Sequence, residues 1–156
     1  MNWRRGILIL AMTFCLVACS SPEPSVILHD QHSNPVDLSE LKGKWVIVNY
    51  WASWCESCAW EVPHLNKFYQ NNKNKNIVLY GVSYDPLPQD ELSVAVNKMH
   101  IQFPVLLENP SALWQLGDTD VVPVTYIINP EGKVAQKIVG PTTEESLSAV
   151  MLALQK

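Results

Sequence analysis

Two cysteines, Cys55 and Cys58, stand two residues apart in the run Trp51-Ala52-Ser53-Trp54-Cys55-Glu56-Ser57-Cys58. That spacing fits a dithiol that opens and closes, or half of a metal site. The surroundings favour redox chemistry. The pair follows an apolar segment, residues 46–51, that reads as a buried strand, and precedes Ala59, Val62, Leu65, Phe68 and Tyr69 at helical spacing. Cys55 therefore falls at a helix N-terminus, where unpaired backbone N–H groups and the helix dipole favour an anion. The thiolate is the species that attacks a disulfide. Cys58, one turn inward, is expected to be more buried and to resolve a mixed disulfide by attacking Cys55. A purely structural bridge across so short a gap would restrain almost nothing, because stabilisation grows with loop length.

Other residues bracket this pair. Glu61 lies three positions past Cys58, on the same helical face. It is either a surface carboxylate or, if buried beside the thiols, an acid of raised pKa that takes the proton from Cys58 or returns it. Pro63 either kinks the helix or leaves its end at Val62. Trp51 reads as core, and Trp54, directly before Cys55, as a half-exposed platform for substrate. Pro123 is either a strand-initiating proline or a cis proline that, with Val122, shows a backbone edge to an extended substrate.

The beginning of the chain addresses the protein. Arg4 and Arg5 precede an almost wholly apolar stretch, residues 6–18, too short for a bilayer span of about 20 residues but suited to a secretory signal. Leu16-Val17-Ala18-Cys19 resembles a bacterial lipobox, so residues 1–18 are expected to be removed and Cys19 to carry lipid. The plainer alternative is an ordinary signal that contains a cysteine. Residues 19–25, with Pro22 and Pro24, read as an acylated tether reaching roughly 20 Å from a membrane. With Cys15 in the signal and Cys19 acylated, Cys55 and Cys58 are the remaining thiols of a folded domain over residues 26–156. Lys and Arg total 11 against 15 Asp and Glu, a net charge of −4, and there is no basic patch. A nucleic-acid partner is not expected.

Strand and helix signals then alternate. Strands are expected at 46–51, 77–83 and 103–107, helices at 55 to about 69, 89–99 and 110–116. Residues 124–128 and 134–139 flank the turn Asn129-Pro130-Glu131-Gly132, and Thr142 or Thr143 caps a last helix. The fold class is α/β, with a mixed central sheet and flanking helices.

With these residues in place, the chain resembles the thioredoxin-fold thiol–disulfide oxidoreductases of the membrane-tethered bacterial TlpA/ResA-like type. The likeness rests on Trp51-Ala52-Ser53-Trp54-Cys55 with Cys58, on Glu61 and Pro63, on Val122-Pro123-Val124-Thr125, and on the turn at residues 129–133. It implies a thioredoxin-like domain with a cis peptide before Pro123 packed against the dithiol. It also implies an exposed Cys55 as nucleophile and Glu61 as proton carrier for Cys58. Catalysis would then rest on Cys55, Cys58, Glu61 and Pro123, with Trp54 and Val122 contacting substrate. The Cys55–Cys58 disulfide would be the whole redox centre, with no further cofactor and no metal. The implied partners are protein thiols and disulfides, apocytochrome c cysteines among them, and a membrane electron donor that recharges the dithiol. The protein is expected as a monomer, lipid-anchored on the outer side of a bacterial membrane.

Two departures from related patterns bear on the redox chemistry, and the acids near the thiols bear on its direction. Ser57 stands where many relatives have proline, and Asn49 where thioredoxin has a buried aspartate, which leaves Glu61 to handle protons. Glu56 between the thiols opposes a thiolate at Cys55, whereas a strong oxidant needs that thiolate strongly stabilised. The reading leans to a reductant, with a disulfide-donating oxidant as its alternative. Metal (copper) delivery is the rival of another class, yet His29, His32, His64 and His100 stand at no recognised spacing from the cysteines. Covalent haem would require histidine where Ala59 stands, and a peroxiredoxin-type peroxidase threonine where Ala52 stands.

Overall fold

A computed structural model describes residues 25–156, apart from Asn74 and Asp118. The signal and lipidation readings, Cys19 included, lie outside the described residues. A short antiparallel hairpin, β1 (Ile27–His29) and β2 (Pro35–Asp37), opens the domain and leads through a 3-10 turn (Leu38–Leu41) into β3 (Trp45–Trp51). There follow α1 (Glu56–Asn72), β4 (Ile77–Ser83), α2 (Gln89–Lys98), β5 (Val105–Leu106), α3 (Ser111–Trp114), β6 (Val124–Ile128), β7 (Val134–Val139) and α4 (Glu144–Leu154). Five strands form one sheet in the order β5-β4-β3-β6-β7. β3 lies parallel to β4 and antiparallel to β6, β4 is parallel to β5, and β6 and β7 form the antiparallel hairpin. This is a thioredoxin-like fold.

β3 is buried on both faces because alternate residues enter two cores. Ile47 and Trp51 pack with Cys58, Val62, Leu65 and Phe68 of α1, Leu92 and Val96 of α2, and Leu147 and Met151 of α4. Val46, Val48 and Tyr50 face the other way, towards Leu28, Leu41, Leu116, Val124 and Tyr126. A strand so placed fixes the helix that follows it, and with it the dithiol.

Some expected boundaries are corrected. α1 runs through Pro63 as expected, not ending at Val62, and extends past the expected end near Tyr69 to Asn72; packing of Val62, Leu65 and Phe68 outweighs the hydrogen bond that proline removes. The strand expected over 103–107 contracts to Val105–Leu106. Pro104 has no N–H to give a ladder, and the Asn66 side chain holds the loop before it through His100 O and Gln102 N–H. The helix expected over 110–116 contracts to Ser111–Trp114, ended by Gln115 in the left-handed region at φ 52°.

Gly81 shows how tightly the sheet is fitted beneath the site. It pairs with Asn49 on one side and Val105 on the other. A Cβ there would lie 3.0 Å from Val105 Cγ2 and 3.1 Å from both Phe103 Cε2 and Trp51 Nε1. Gly81→Ala is expected to destabilise the protein by about 1–3 kcal/mol, the cost of overpacking a dense core. Urea unfolding measures it; an unchanged midpoint would mean the core yields freely at this point.

Candidate active site

β3 ends at Trp51, and a turn over Ala52, Ser53 and Trp54 delivers the chain to α1. Cys55 N–H donates to Ala52 O at 3.1 Å and closes that turn. Cys55 is the N-cap of α1: its Sγ accepts the Cys58 N–H at 3.1 Å, one of the donors a helix leaves unpaired at its start. Cys55 and Cys58 are joined as a disulfide, with Cα atoms 5.2 Å apart. Cys58 is wholly buried, while Cys55 keeps 7% of its surface. The expectation of an exposed first cysteine needs correcting here. Cys55 lines a shallow concavity of about 510 Å³ together with Trp54, Glu56, Ser57, Trp60 and Val122.

The flanking residues divide as follows. Trp51 is buried in the core at 1% exposure, and Trp54 stands out at 64%. Trp54 is nevertheless held: its indole N–H donates to Asp85 Oδ2 at 2.8 Å, and its ring meets Tyr84 edge-on at 6.1 Å. The Val122–Pro123 peptide bond is cis. Pro123 is buried behind the concavity, and half-buried Val122 presents the loop to it.

Glu61 is the buried acid of the site, 1% exposed. Its Oε1 accepts the Thr142 backbone N–H at 2.9 Å, and its Oε2 accepts from Asn49 Nδ2 at 3.0 Å. Burial pushes its pKa up from 4.5 to about 7, against the downward pull of those two hydrogen bonds. A carboxyl that titrates near neutrality, one turn beyond a buried cysteine, can take and return a proton at physiological pH. Among the described residues, no group of three or more His, Cys, Asp or Glu side chains is arranged to hold a metal ion.

Sequence reasoning overlooked several neighbours. Trp60, 54% exposed and tilted against the His64 ring with centroids 4.8 Å apart, forms another wall of the concavity. It lies off the buried stripe of α1, and a large aromatic on a helix's polar face was the available signal. Tyr84 and Asp85 follow β4 directly, at the strand ends where parallel sheets gather functional groups. Nothing local marked Asn49, Thr125 and Thr142 as a connected set.

Comparison with known proteins agrees with this geometry. The AhpC/TSA family model matches residues 20–137. The chain is 32% identical over 135 residues to the thiol-disulfide oxidoreductase ResA of Bacillus subtilis, covering 84% of this chain and 73% of that one. Among solved structures it is similar to a thiol:disulfide interchange protein of the thioredoxin family from Chlorobium tepidum. There the TM-score is 0.69 at 25% identity, with 86% and 96% of the two chains covered. StoA from Bacillus subtilis shares the fold, with a TM-score of 0.68 at 21% identity, over 82% of this chain and 96% of that one.

Proposed function

The chain belongs to the AhpC/TSA family and is a thiol–disulfide oxidoreductase, and we propose that it works as a reductant of protein disulfides in the bacterial cell envelope. Its redox centre is the Cys55–Cys58 pair itself. One observation carries this reading: Cys55 sits at the cap of α1 with its sulfur accepting a backbone N–H, at the floor of an accessible mouth, bonded to a wholly buried Cys58.

In the reduced protein the helix start favours the Cys55 thiolate. That thiolate attacks one sulfur of a substrate disulfide, and the other substrate sulfur leaves as a thiolate that picks up a proton. Cys58 then loses its proton to the Glu61 carboxylate and attacks Cys55 Sγ. The second substrate thiolate leaves, and the Cys55–Cys58 disulfide forms. Two electrons have passed to the substrate. A membrane electron donor must restore the dithiol. The substrate chain lies extended along Val122, beside the cis Pro123, between the exposed rings of Trp54 and Trp60.

Electrostatics supports the reducing direction. The mouth carries Glu56 and no Lys, Arg or His among its lining residues, so no cationic side chain there adds to what the helix start gives the thiolate, as a strong oxidant requires. Reduction of apocytochrome c cysteines before haem attachment is one task of this chemistry. Cys19 is the proposed lipid anchor, with the domain held on the outer face of the membrane as a monomer.

The test is the redox state of the pair in the host's envelope, read by rapid acid quenching and alkylation of free thiols. A population held mostly as the dithiol is the expected result. A population held mostly as the disulfide would make the protein an oxidant.

A further inference from the structure

Asn49 lies on β3, in alternation with Ile47 and Trp51, on the face that α1 covers. It is 1% exposed. Its Nδ2 donates to Glu61 Oε2 at 3.0 Å and to Thr125 Oγ1 at 3.0 Å, so both amide hydrogens are used. Its Oδ1, equally buried, has no hydrogen-bond partner. Thr125 follows Pro123 by two residues, on the strand that pairs with β3 at this register. A single amide therefore joins the acid of the site to the strand that carries the cis proline.

We propose that Asn49 is a positioning residue for thiol–disulfide exchange, an amide that holds the Glu61 carboxyl in both of its protonation states and ties it to Thr125. The proposal rests on the reading of Glu61 as the proton acceptor for Cys58. When Glu61 is ionised, the amide donates one N–H to Glu61 Oε2 and the other to Thr125 Oγ1, as observed. When the Cys58 S–H proton moves to Glu61 Oε2, that oxygen becomes a donor and needs an acceptor. Turning the amide over places Oδ1 at the same point, where its two lone pairs accept from Glu61 Oε2–H and from the Thr125 hydroxyl. Both hydrogen bonds survive with their sense reversed, and neither carboxyl oxygen has to move.

The two states are unequal, and the inequality is useful. In the observed state one acceptor is orphaned; in the turned state an NH2 group with two donors is orphaned, which costs more. Asn49 thus favours the carboxylate and opposes the burial that favours the acid. Among the described residues no fixed charge is paired with Glu61: β3 supplies Asn49, β6 supplies Thr125 through that amide, the loop before α4 supplies the Thr142 N–H, and α1 carries Cys58, a thiol only in the reduced protein. Aspartate at position 49 could not donate to an ionised Glu61, and an apolar side chain there would leave Oε2 with no partner.

The experiment follows the Glu61 carboxyl carbon by NMR across pH in the oxidised protein, comparing wild type with Asn49→Leu and Asn49→Asp. Loss of the donor in Asn49→Leu is expected to raise the Glu61 midpoint by about one unit, a tenfold weaker acid. Asn49→Asp preserves shape, decides the matter if the leucine variant does not fold, and should titrate in two coupled steps as two carboxyls compete for one proton. An unchanged Glu61 midpoint in Asn49→Leu, or two independent titrations in Asn49→Asp, would overturn the proposal. In the reduced protein, the pH profile of substrate-disulfide reduction should shift upward in Asn49→Leu, a movement that mere loosening of the core would not produce. Failure of the wild-type protein to exchange disulfides at any pH would instead sink the oxidoreductase reading and leave the carboxyl titration standing.

Discussion

Cys55→Ser is expected to slow the reduction of a protein disulfide by at least about a thousandfold, since a serine hydroxyl stays protonated where a capped thiol ionises. Cys58→Ser should fail differently. Its Cys55 still attacks, but no buried thiol follows, so the reaction halts at a mixed disulfide joining Cys55 to the substrate. The contrast comes from position. Cys55 opens on the concavity and accepts the Cys58 N–H at 3.1 Å, whereas Cys58 has no exposed surface. Non-reducing electrophoresis of both variants with a disulfide-bonded substrate reads it directly. A covalent adduct from Cys55→Ser and none from Cys58→Ser would reverse the assigned roles.

The second large effect is on stability and comes from Glu61. Its folded pKa of about 7 stands above the ordinary 4.5 because the carboxyl is buried. Below pH 4.5 both folded and unfolded chains hold this proton, and the contribution is fully present. Between pH 4.5 and 7 the unfolded chain is ionised while the folded one retains the proton. Unfolding there releases a proton, so stability falls as pH rises and levels off above 7. The loss amounts to about 3 kcal/mol from this group, by the conversion of pKa difference to free energy. The lowered carboxylates Asp30 and Glu108 act in the opposite sense, weakening the fold as pH drops below the ordinary carboxylate range. Urea unfolding of the oxidised protein at pH 5 and pH 8, with Glu61→Gln alongside, isolates the effect. Wild type should lose stability across that interval and Glu61→Gln should lose most of the slope; equal slopes would remove Glu61 as the cause.

What could be read from the sequence was local. β4 stands at residues 77–83 as expected, an apolar run bounded by turn residues, and β7 stands at 134–139 as expected because the turn at residues 129–132 sets the hairpin. Cys55, Cys58 and Glu61 were legible because one helix supplies all three. The β1–β2 hairpin was not foreseen, since its order comes from distant partners. Glu108 accepts from His29 N–H at 2.7 Å, while Gln31 exchanges bonds with Val105 through its backbone N–H and its side-chain oxygen. The cradle of Glu61 was hidden for the same reason. Thr142 lies 81 residues away along the chain, and Asn49 meets Thr125 across 76. Such pairings arise when β6 and α4 dock, and no spacing in the chain announces them.

The equilibrium reduction potential of the Cys55–Cys58 pair, titrated against a defined thiol–disulfide buffer, tests the central claim most directly. A reductant of envelope disulfides should show one two-electron couple near or below about −270 mV. A value approaching about −120 mV would contradict the reducing direction and make the protein a disulfide donor.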